Sequence, residues 1–217
     1  MTTETIHKPL WRRLLPPIAG GALAGFIAAF GFLNLTDLAR GEGLGPSREI
    51  AGLVGMLYAL TGLSIVVGVL SPGIGAKFLN VEDADELREQ RRMLSYSAIA
   101  TILLGMALTL VALSGEGALV AASTGAIVAA VLVAIAVVLS VAMRRHTDEL
   151  QRALSGDATA SAFYLMALFG GGWAVLAHLG FTAGPAPLDW LTMFAASLLI
   201  GAFYQTARRG LMLRGPN

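Results

Sequence analysis

Six apolar runs, separated by short polar stretches, make up most of this chain. Each reaches or approaches the about 20 residues that an α-helix needs to cross a bilayer, and each lacks Lys, Arg, Asp and Glu except near its edges. The run 118–143 has no polar face at the helical spacing typical of a soluble core helix. The pattern predicts an all-α polytopic membrane protein, a single transmembrane domain over 1–217 with three antiparallel helix hairpins. The predicted spans are roughly 14–36, 50–70, 93–113, 118–143, 158–180 and 188–206.

Composition supports this interpretation and narrows the chemistry. The chain is 56% hydrophobic and 13% charged, against about a quarter charged residues in soluble domains. Its net charge of +1 gives no electrostatic reason to expect a nucleic-acid partner. The absence of cysteine excludes disulfides and thiolate metal sites. Arginine outnumbers lysine 13 to 2 and Ala and Gly are abundant, which favours a bacterial protein. Together with the six apolar runs, this predicts a location in the bacterial inner membrane.

The first run has two interpretations, because basic residues precede it. Lys8, Arg12 and Arg13 before an apolar run are typical of a cleaved signal peptide. The run is about 20 residues long, however, whereas a signal core has about 7 to 15. No A-x-A cleavage site follows Phe32. A retained span is therefore favoured.

Basic residues divide unequally between alternating loops. Thirteen lie at the two termini and in the second and fourth loops, whereas only Arg40 and Arg48 lie in the other set. The positive-inside rule then places both termini in the cytoplasm. Paired arginines at these span ends are expected to anchor the helices by snorkelling, and a basic collar holding anionic lipid headgroups is the functional alternative. The pairs are Arg12, Arg13, Arg91, Arg92, Arg144, Arg145, Arg208 and Arg209.

Two charged connectors share a triplet, Asp85-Glu86-Leu87 and Asp148-Glu149-Leu150. Their spacing superposes span three on span five and four on six, which suggests a parallel hairpin repeat, 80–143 and 144–207. Few identities extend beyond the triplet, so chance agreement is the alternative. If the connectors act in recognition, the predicted cytoplasmic interaction motif comprises Asp85, Glu86, Arg88, Asp148, Glu149 and Arg152.

Local signals predict where helices begin and end. Ser47 is expected to cap the second span, and the second connector to be helical without a break through Arg92. Thr147 is expected to cap a short helix that ends at Ser155-Gly156, and Asp157 to cap the fifth span.

The fourth loop also resembles a known sequence signature. Asp148-Glu149-Leu150-Gln151-Arg152 is similar to the DE[FL]QR pattern that precedes a span in small, uncharacterised multi-pass bacterial membrane proteins. This resemblance implies a small bacterial membrane protein and no particular activity.

Small residues recur at a spacing of four, as in Gly21, Gly25 and Ala29, and Gly201 lies near Ala195. Such residues let helices approach closely in lipid. We expect them to pack helices inside the monomer, with a self-association face as the alternative.

Polar groups at the predicted outer ends of the spans form one candidate site. His178 with Asp37, Glu49 and Asp189 could make a proton-sensitive or cation-binding cluster. The alternative is an interfacial histidine that contacts water and headgroups. No Asp, Glu, Lys or Arg lies at mid-membrane, which counts against an ion-coupled transporter.

No enzyme constellation emerges, and neither metal nor cofactor is expected. His7, His146 and His178 lie far apart, and there is no phosphate-binding or dinucleotide-binding loop. The leading prediction is a non-enzymatic accessory, regulatory or immunity-type subunit. Its partners would be membrane lipids, another membrane protein or a second copy of the chain. The alternatives are a small transporter or channel past Tyr58, Tyr96, Tyr164 and His178 and, more distantly, a lipid-modifying enzyme.

Overall fold

Helices form the regular structure of the described chain, with one isolated β-bridge between Ser114 and Val120. The computed structural model describes residues 10–40, 43–71, 84–115 and 117–210. Among them six segments are long and apolar enough to cross a membrane, which confirms the predicted all-α multi-pass fold. The helices are α1 (Leu10–Arg40), α2 (Pro46–Leu70), α3 (Ala84–Glu89), α4 (Arg91–Ala112), α5 (Ala122–Met143), α6 (Glu149–Met166), α7 (Gly172–His178) and α8 (Pro187–Arg208).

The fourth span begins at Ala122, four residues later than predicted. The apolar residues before it close a small loop, in which Gly115 N–H donates to Val120 O at 3.1 Å. Gly115 has φ +138°, a backbone conformation that only glycine adopts readily. Hydropathy alone could not separate this apolar loop from the helix that follows it.

The cap of α6 is Asp148 and not Thr147, so that prediction was wrong. The Asp148 carboxylate accepts the Gln151 N–H at 2.7 Å, and the Gln151 side chain accepts the Asp148 N–H at 3.2 Å. This reciprocal pair is a capping box. The Thr147 hydroxyl instead donates to Arg144 O at 3.0 Å.

Helix α6 continues past Gly156 without a break, so the predicted break and the predicted Asp157 cap were also wrong. A glycine inside a helix costs only about 1 kcal/mol relative to alanine, which the surrounding helix tolerates. After Met166 the chain forms a π-helical turn, Ala167–Gly171, and then α7. The fifth span is therefore one long segment, Glu149–His178.

Two further local predictions were wrong. A turn at Gln90 separates α3 from α4, so the second connector is not helical without a break through Arg92. Helix α2 begins at Pro46 with Gly45 as its N-cap, and the hydroxyl of Ser47 donates to Asp189.

The two triplets of the suggested repeat have different surroundings. Leu87 is 1% exposed, whereas Leu150 is 47% exposed. The first triplet lies in α3, a short helix that ends before the turn into α4, and the second forms the capped start of α6. The repeat remains a hypothesis that these surroundings do not favour.

Helix α2 is the centre of the described bundle and packs on α1, α4 and α8. Helix α5 packs on α4, and α6 packs on α8, so two hairpins flank α2. The most extensive helix contact joins α2 and α4, which belong to different predicted hairpins. Helices α5 and α6 make no extensive contact, although they are neighbours in sequence.

Glycines allow α2 and α4 to pack closely against each other, in a contact that we call the seam. A Cβ on Gly55 would lie 2.7 Å from Gly105 O, and one on Gly62 would lie 2.7 Å from Ala98 O. Backbones approach this closely only where side chains are absent or very small, as in other lipid-embedded helix pairs. The seam is thus specified by residue size.

Some of the small residues predicted to pack helices together make close contacts in the described structure, and others do not. At Gly201 a Cβ would lie 2.6 Å from Ala158 O, which confirms close packing of α8 on α6. At Gly21 and Gly25 a Cβ would meet no atom within 4 Å in the described structure. Packing inside the monomer was therefore the wrong expectation for those two positions.

Candidate functional site: an apolar cleft and a rim pocket

A cleft of about 500 Å³ opens between hairpin α4/α5 and hairpin α6/α8. Its size falls within the range of about 300–1,000 Å³ that is usual for small-molecule sites. Five helices contribute to it, with Tyr58 of α2 as the contribution from the central helix. The lining residues are Tyr58, Leu104, Ala107, Leu108, Val111, Ala129, Val133, Thr159, Ala162, Phe163, Leu191, Phe194, Ala195 and Leu198.

Large branched and aromatic side chains make up much of the lining of this cleft. Leu104 and Leu108 of α4 line one wall, and Leu191, Phe194 and Leu198 of α8 line the other. Between helices in lipid there is no hydrophobic force to draw such surfaces together, because lipid tails are as apolar as leucine. The opening between the hairpins is therefore compatible with a membrane-embedded fold.

The polar groups of the cleft are already hydrogen-bonded within the protein. Tyr58 Oη donates to Ala195 O at 2.8 Å, which joins α2 to α8. Thr159 Oγ1 donates to Ser155 O at 2.8 Å within α6. No Asp, Glu, His, Lys or Arg is among the residues that line it. The cleft therefore offers an occupant hydrocarbon contact and no acid or base.

The π-helical turn adjoins one wall of the cleft. It begins four residues after Phe163 and ends at Gly171. A Cβ on Gly170 would lie 3.0 Å from the ring of Trp190, so this turn packs closely on α8. Trp173 Nε1 donates to Ala183 O at 2.8 Å and holds the following loop. Single π turns inside helices are frequent at functional sites.

A second cavity, the rim pocket, lies where α2 and α8 begin. Its volume is about 440 Å³. This pocket could not be predicted from the sequence, because its residues come from three separate connections between helices. The one sequence signal was Arg48, a rare basic residue on the side opposite the basic loops. The lining residues are Leu44, Gly45, Pro46, Ser47, Arg48, Ser114, Ala186, Pro187 and Leu188.

Asp189 of the predicted outer cluster accepts two hydrogen bonds at the start of α8. Its Oδ2 accepts the Ala186 N–H at 2.7 Å, and its Oδ1 accepts the Ser47 hydroxyl at 2.5 Å. The carboxylate therefore caps one helix and ties it to the start of another.

The other three members of that cluster form no hydrogen bond with Asp189 in the described structure. Glu49 Oε1 accepts the Leu44 N–H at 3.2 Å. Oxygens of Glu49 and Asp37 would lie 2.8 and 3.2 Å from a Cβ on Gly43, so these two carboxylates are near one another. His178 is exposed at the end of α7. Within the described residues, no group of three or more His, Asp and Glu could hold a metal ion.

The predicted cytoplasmic interaction motif is only partly described. The side chains of Asp85 and Glu86 lie outside the described part of the structure. Asp148 serves as the cap of α6. The remaining members are exposed: Arg88, Glu149 and Arg152.

The arginines expected to anchor the helices lie at helix ends. Arg209, just past the end of α8, pairs with Asp157 in the middle of α6 and so joins the two helices. The side chains of Arg12 and Arg13 lie outside the described part of the structure. The exposed members are Arg91, Arg92, Arg144, Arg145 and Arg208.

The aromatic path suggested for a transporter is not continuous in the described structure. Only Tyr58 of its four residues lines the cleft. Tyr96 makes an edge contact with His146, with ring centroids 5.8 Å apart. Tyr164 and His178 are exposed.

Comparison of the chain with protein-family models, curated proteins and solved structures finds no match.

Proposed function

We propose that this chain is a non-enzymatic integral protein of the bacterial inner membrane that acts as an accessory, regulatory or immunity-type subunit. Its contact site is the cleft between hairpins α4/α5 and α6/α8. One observation carries the proposal: the cleft is apolar, and all the residues that line it lack ionisable acid or base groups apart from the Tyr58 phenol, which donates to Ala195 O. Such a surface suits the binding of another apolar surface.

The proposed orientation places both termini in the cytoplasm. The support is the distribution of thirteen basic residues against two between alternating loops. In this orientation the rim pocket faces the periplasm and the cleft opens toward the middle and outer parts of the bilayer. The exposed arginines at the opposite end lie near cytoplasmic lipid headgroups.

A photo-crosslinking residue tests the cleft as the contact site. It is placed at Val133, which lines the cleft, and in a matched control at Val138, which is 66% exposed on the same helix. We expect one discrete adduct from position 133 in membranes and only diffuse lipid labelling from position 138. Identical labelling from the two positions would contradict the proposal.

A second contact surface on the cytoplasmic connectors is tested separately. The useful variant is Glu149→Ala with Arg152→Ala, because both side chains are exposed. Asp148 is left intact, since its loss would also uncap α6. Loss of a co-purifying membrane protein would support a connector interface, and an unchanged set of co-purifying proteins would exclude these two side chains from it.

A further inference from the structure

We propose that the cleft and the rim pocket together bind one anionic phospholipid, with an acyl chain in the cleft and the phosphate at Arg48. The inference rests on the proposed role of the cleft as a contact site and names its occupant. Three observations support it: the two cavities are adjacent, Arg48 is available, and the cleft suits a hydrocarbon chain.

The two cavities are stacked along two helices. On α4, Val111 lines the cleft and Ser114, just past its end, lines the rim pocket. On α8, Leu191 lines the cleft and Leu188 lines the rim pocket. Three residues along a helix correspond to about 4.5 Å. The pocket therefore lies directly beyond the cleft, as a headgroup lies beyond its chains.

Arg48 is the cationic group of the rim pocket. Its side chain is partly buried, and its guanidinium lies against Gly115. It forms no hydrogen bond or ion pair with the residues that the structure describes. The nearby carboxylates of Glu49 and Asp189 instead accept backbone N–H groups at helix starts. An arginine in this position has its donors available for a ligand.

Phosphate is the ligand that best matches this arrangement. A guanidinium presents a planar fork of donors that binds phosphate oxygens in pairs. Partial burial beside apolar surface raises the cost of leaving the charge without a partner. The hydroxyls of Ser47 and Ser114 already donate elsewhere, to Asp189 and to Leu110 O, so Arg48 is expected to be the main source of headgroup affinity.

The cleft suits an acyl chain better than a polar occupant. Its lining is apolar apart from the Tyr58 and Thr159 hydroxyls, and both donate to backbone carbonyls. A polar ligand placed there would lose its hydrogen bonds to water without replacement. A transmembrane helix of a second copy is the competing apolar occupant, but it brings no phosphate to Arg48.

The test measures lipid retention by the full-length protein in mild detergent by native mass spectrometry. Dioleoyl phosphatidylglycerol is the anionic probe and dioleoyl phosphatidylcholine the zwitterionic one. Arg48→Gln removes the proposed headgroup contact, and Val133→Trp fills the cleft. The matched controls are Arg145→Gln, an exposed arginine, and Val138→Trp, an exposed valine of α5.

We expect wild-type protein to retain phosphatidylglycerol in preference to phosphatidylcholine. Arg48→Gln should weaken phosphatidylglycerol binding about tenfold, as expected for loss of a hydrogen bond to a charged group. Val133→Trp should weaken retention of both lipids, whereas the two controls should bind phosphatidylglycerol as the wild type does.

Four results would overturn the inference. Equal losses from Arg48→Gln and Arg145→Gln would show general electrostatic attraction, without a site at Arg48. Loss from Val133→Trp without loss from Arg48→Gln would leave the cleft as the contact site and refute the headgroup assignment. Unchanged lipid retention in Val133→Trp, with loss of a dimer, would place a helix of a second copy in the cleft. If Val133→Trp changed neither lipid retention nor assembly, the proposed function would fail as well.

Discussion

Helix α4 has two apolar faces, of which one is packed closely on another helix and the other lines an open cleft. On one face, Ala98 and Gly105 pack directly on α2 in the closed seam. On another face, Leu104 and Leu108 line the open cleft. The two surfaces do not differ in polarity, so hydrophobicity cannot explain why one is closed and the other open.

The size of the residues explains the difference. In water both surfaces would be driven to close, because each would remove apolar area from solvent. In a bilayer each helix surface can be covered by lipid tails instead of by another helix. A helix–helix contact is therefore favoured only where the two helices fit together more closely than lipid fits against either of them. Gly55, Gly62 and Gly105 provide such a fit in the seam, whereas leucine and phenylalanine side chains in the cleft do not.

The largest expected effect comes from breaking the seam. Gly105→Leu would force a side chain into the backbone of α2 and should destabilise the protein by about 3 kcal/mol or more. Unfolding by SDS in mixed micelles measures this change. Gly21→Leu is the control, because a Cβ there meets nothing within 4 Å, and it should stay within about 0.5 kcal/mol of wild type. Equal effects at the two positions would contradict the seam.

Truncating one side chain on each surface should have different effects on the free energy of unfolding. Ile102→Ala removes methylenes that pack on Gly62 and should cost about 2 kcal/mol in the same unfolding assay. Leu108→Ala, in the cleft, should cost less than about 1 kcal/mol, because lipid can fill the space that it leaves. A larger cost at Leu108 than at Ile102 would reverse the assignment of the two faces.

The N-terminal cap of α6 is expected to make the next largest contribution to the free energy of unfolding. This helix forms one wall of the cleft and packs mainly on α8. Asp148→Ala removes the reciprocal hydrogen bonds with Gln151 and should lower the free energy of unfolding by about 1 kcal/mol. Glu149→Ala, one residue later and exposed, should have little effect, and similar losses from both would argue against the cap.

The smallest expected effect is at the Tyr58 hydroxyl. Tyr58→Phe removes the hydrogen bond to Ala195 O that joins α2 to α8 beside the cleft. Hydrogen bonds between membrane helices contribute about 0.6 kcal/mol on average, so a loss of that order is expected in the unfolding assay. A loss above about 2 kcal/mol would show that this bond, and not side-chain size, sets the geometry of the cleft.

The number and approximate places of the spans could be predicted from sequence, because apolar length is a property of each segment alone. Helix ends were predicted less well. Gly156 was expected to end a helix that in fact continues past it, and Thr147 was expected to be the cap of α6, which is Asp148. Those errors arise because several residues in each loop have a side chain that could cap or end a helix.

The cleft and the rim pocket were beyond sequence reasoning for a different reason. Both depend on which helices pack together, and Gly55 and Gly105 meet across 50 residues of chain. The glycine pattern that stands out in the sequence, at Gly21 and Gly25, marks no close contact in the described structure. Arg48 stood out only as a basic residue on the less basic side, which gave no indication of a cavity.

We expect lipid to enter the cleft and to be excluded from the seam. The most direct measurement uses wild-type protein in bilayers of lipids with a photoactivatable diazirine in the acyl chain, followed by mapping of carbene adducts by mass spectrometry. We expect adducts on Leu104 and Leu108 of α4 and none on Ala98 of the same helix, which is 0% exposed. Adducts on Ala98 as frequent as those on Leu108, or none on either leucine, would contradict the account.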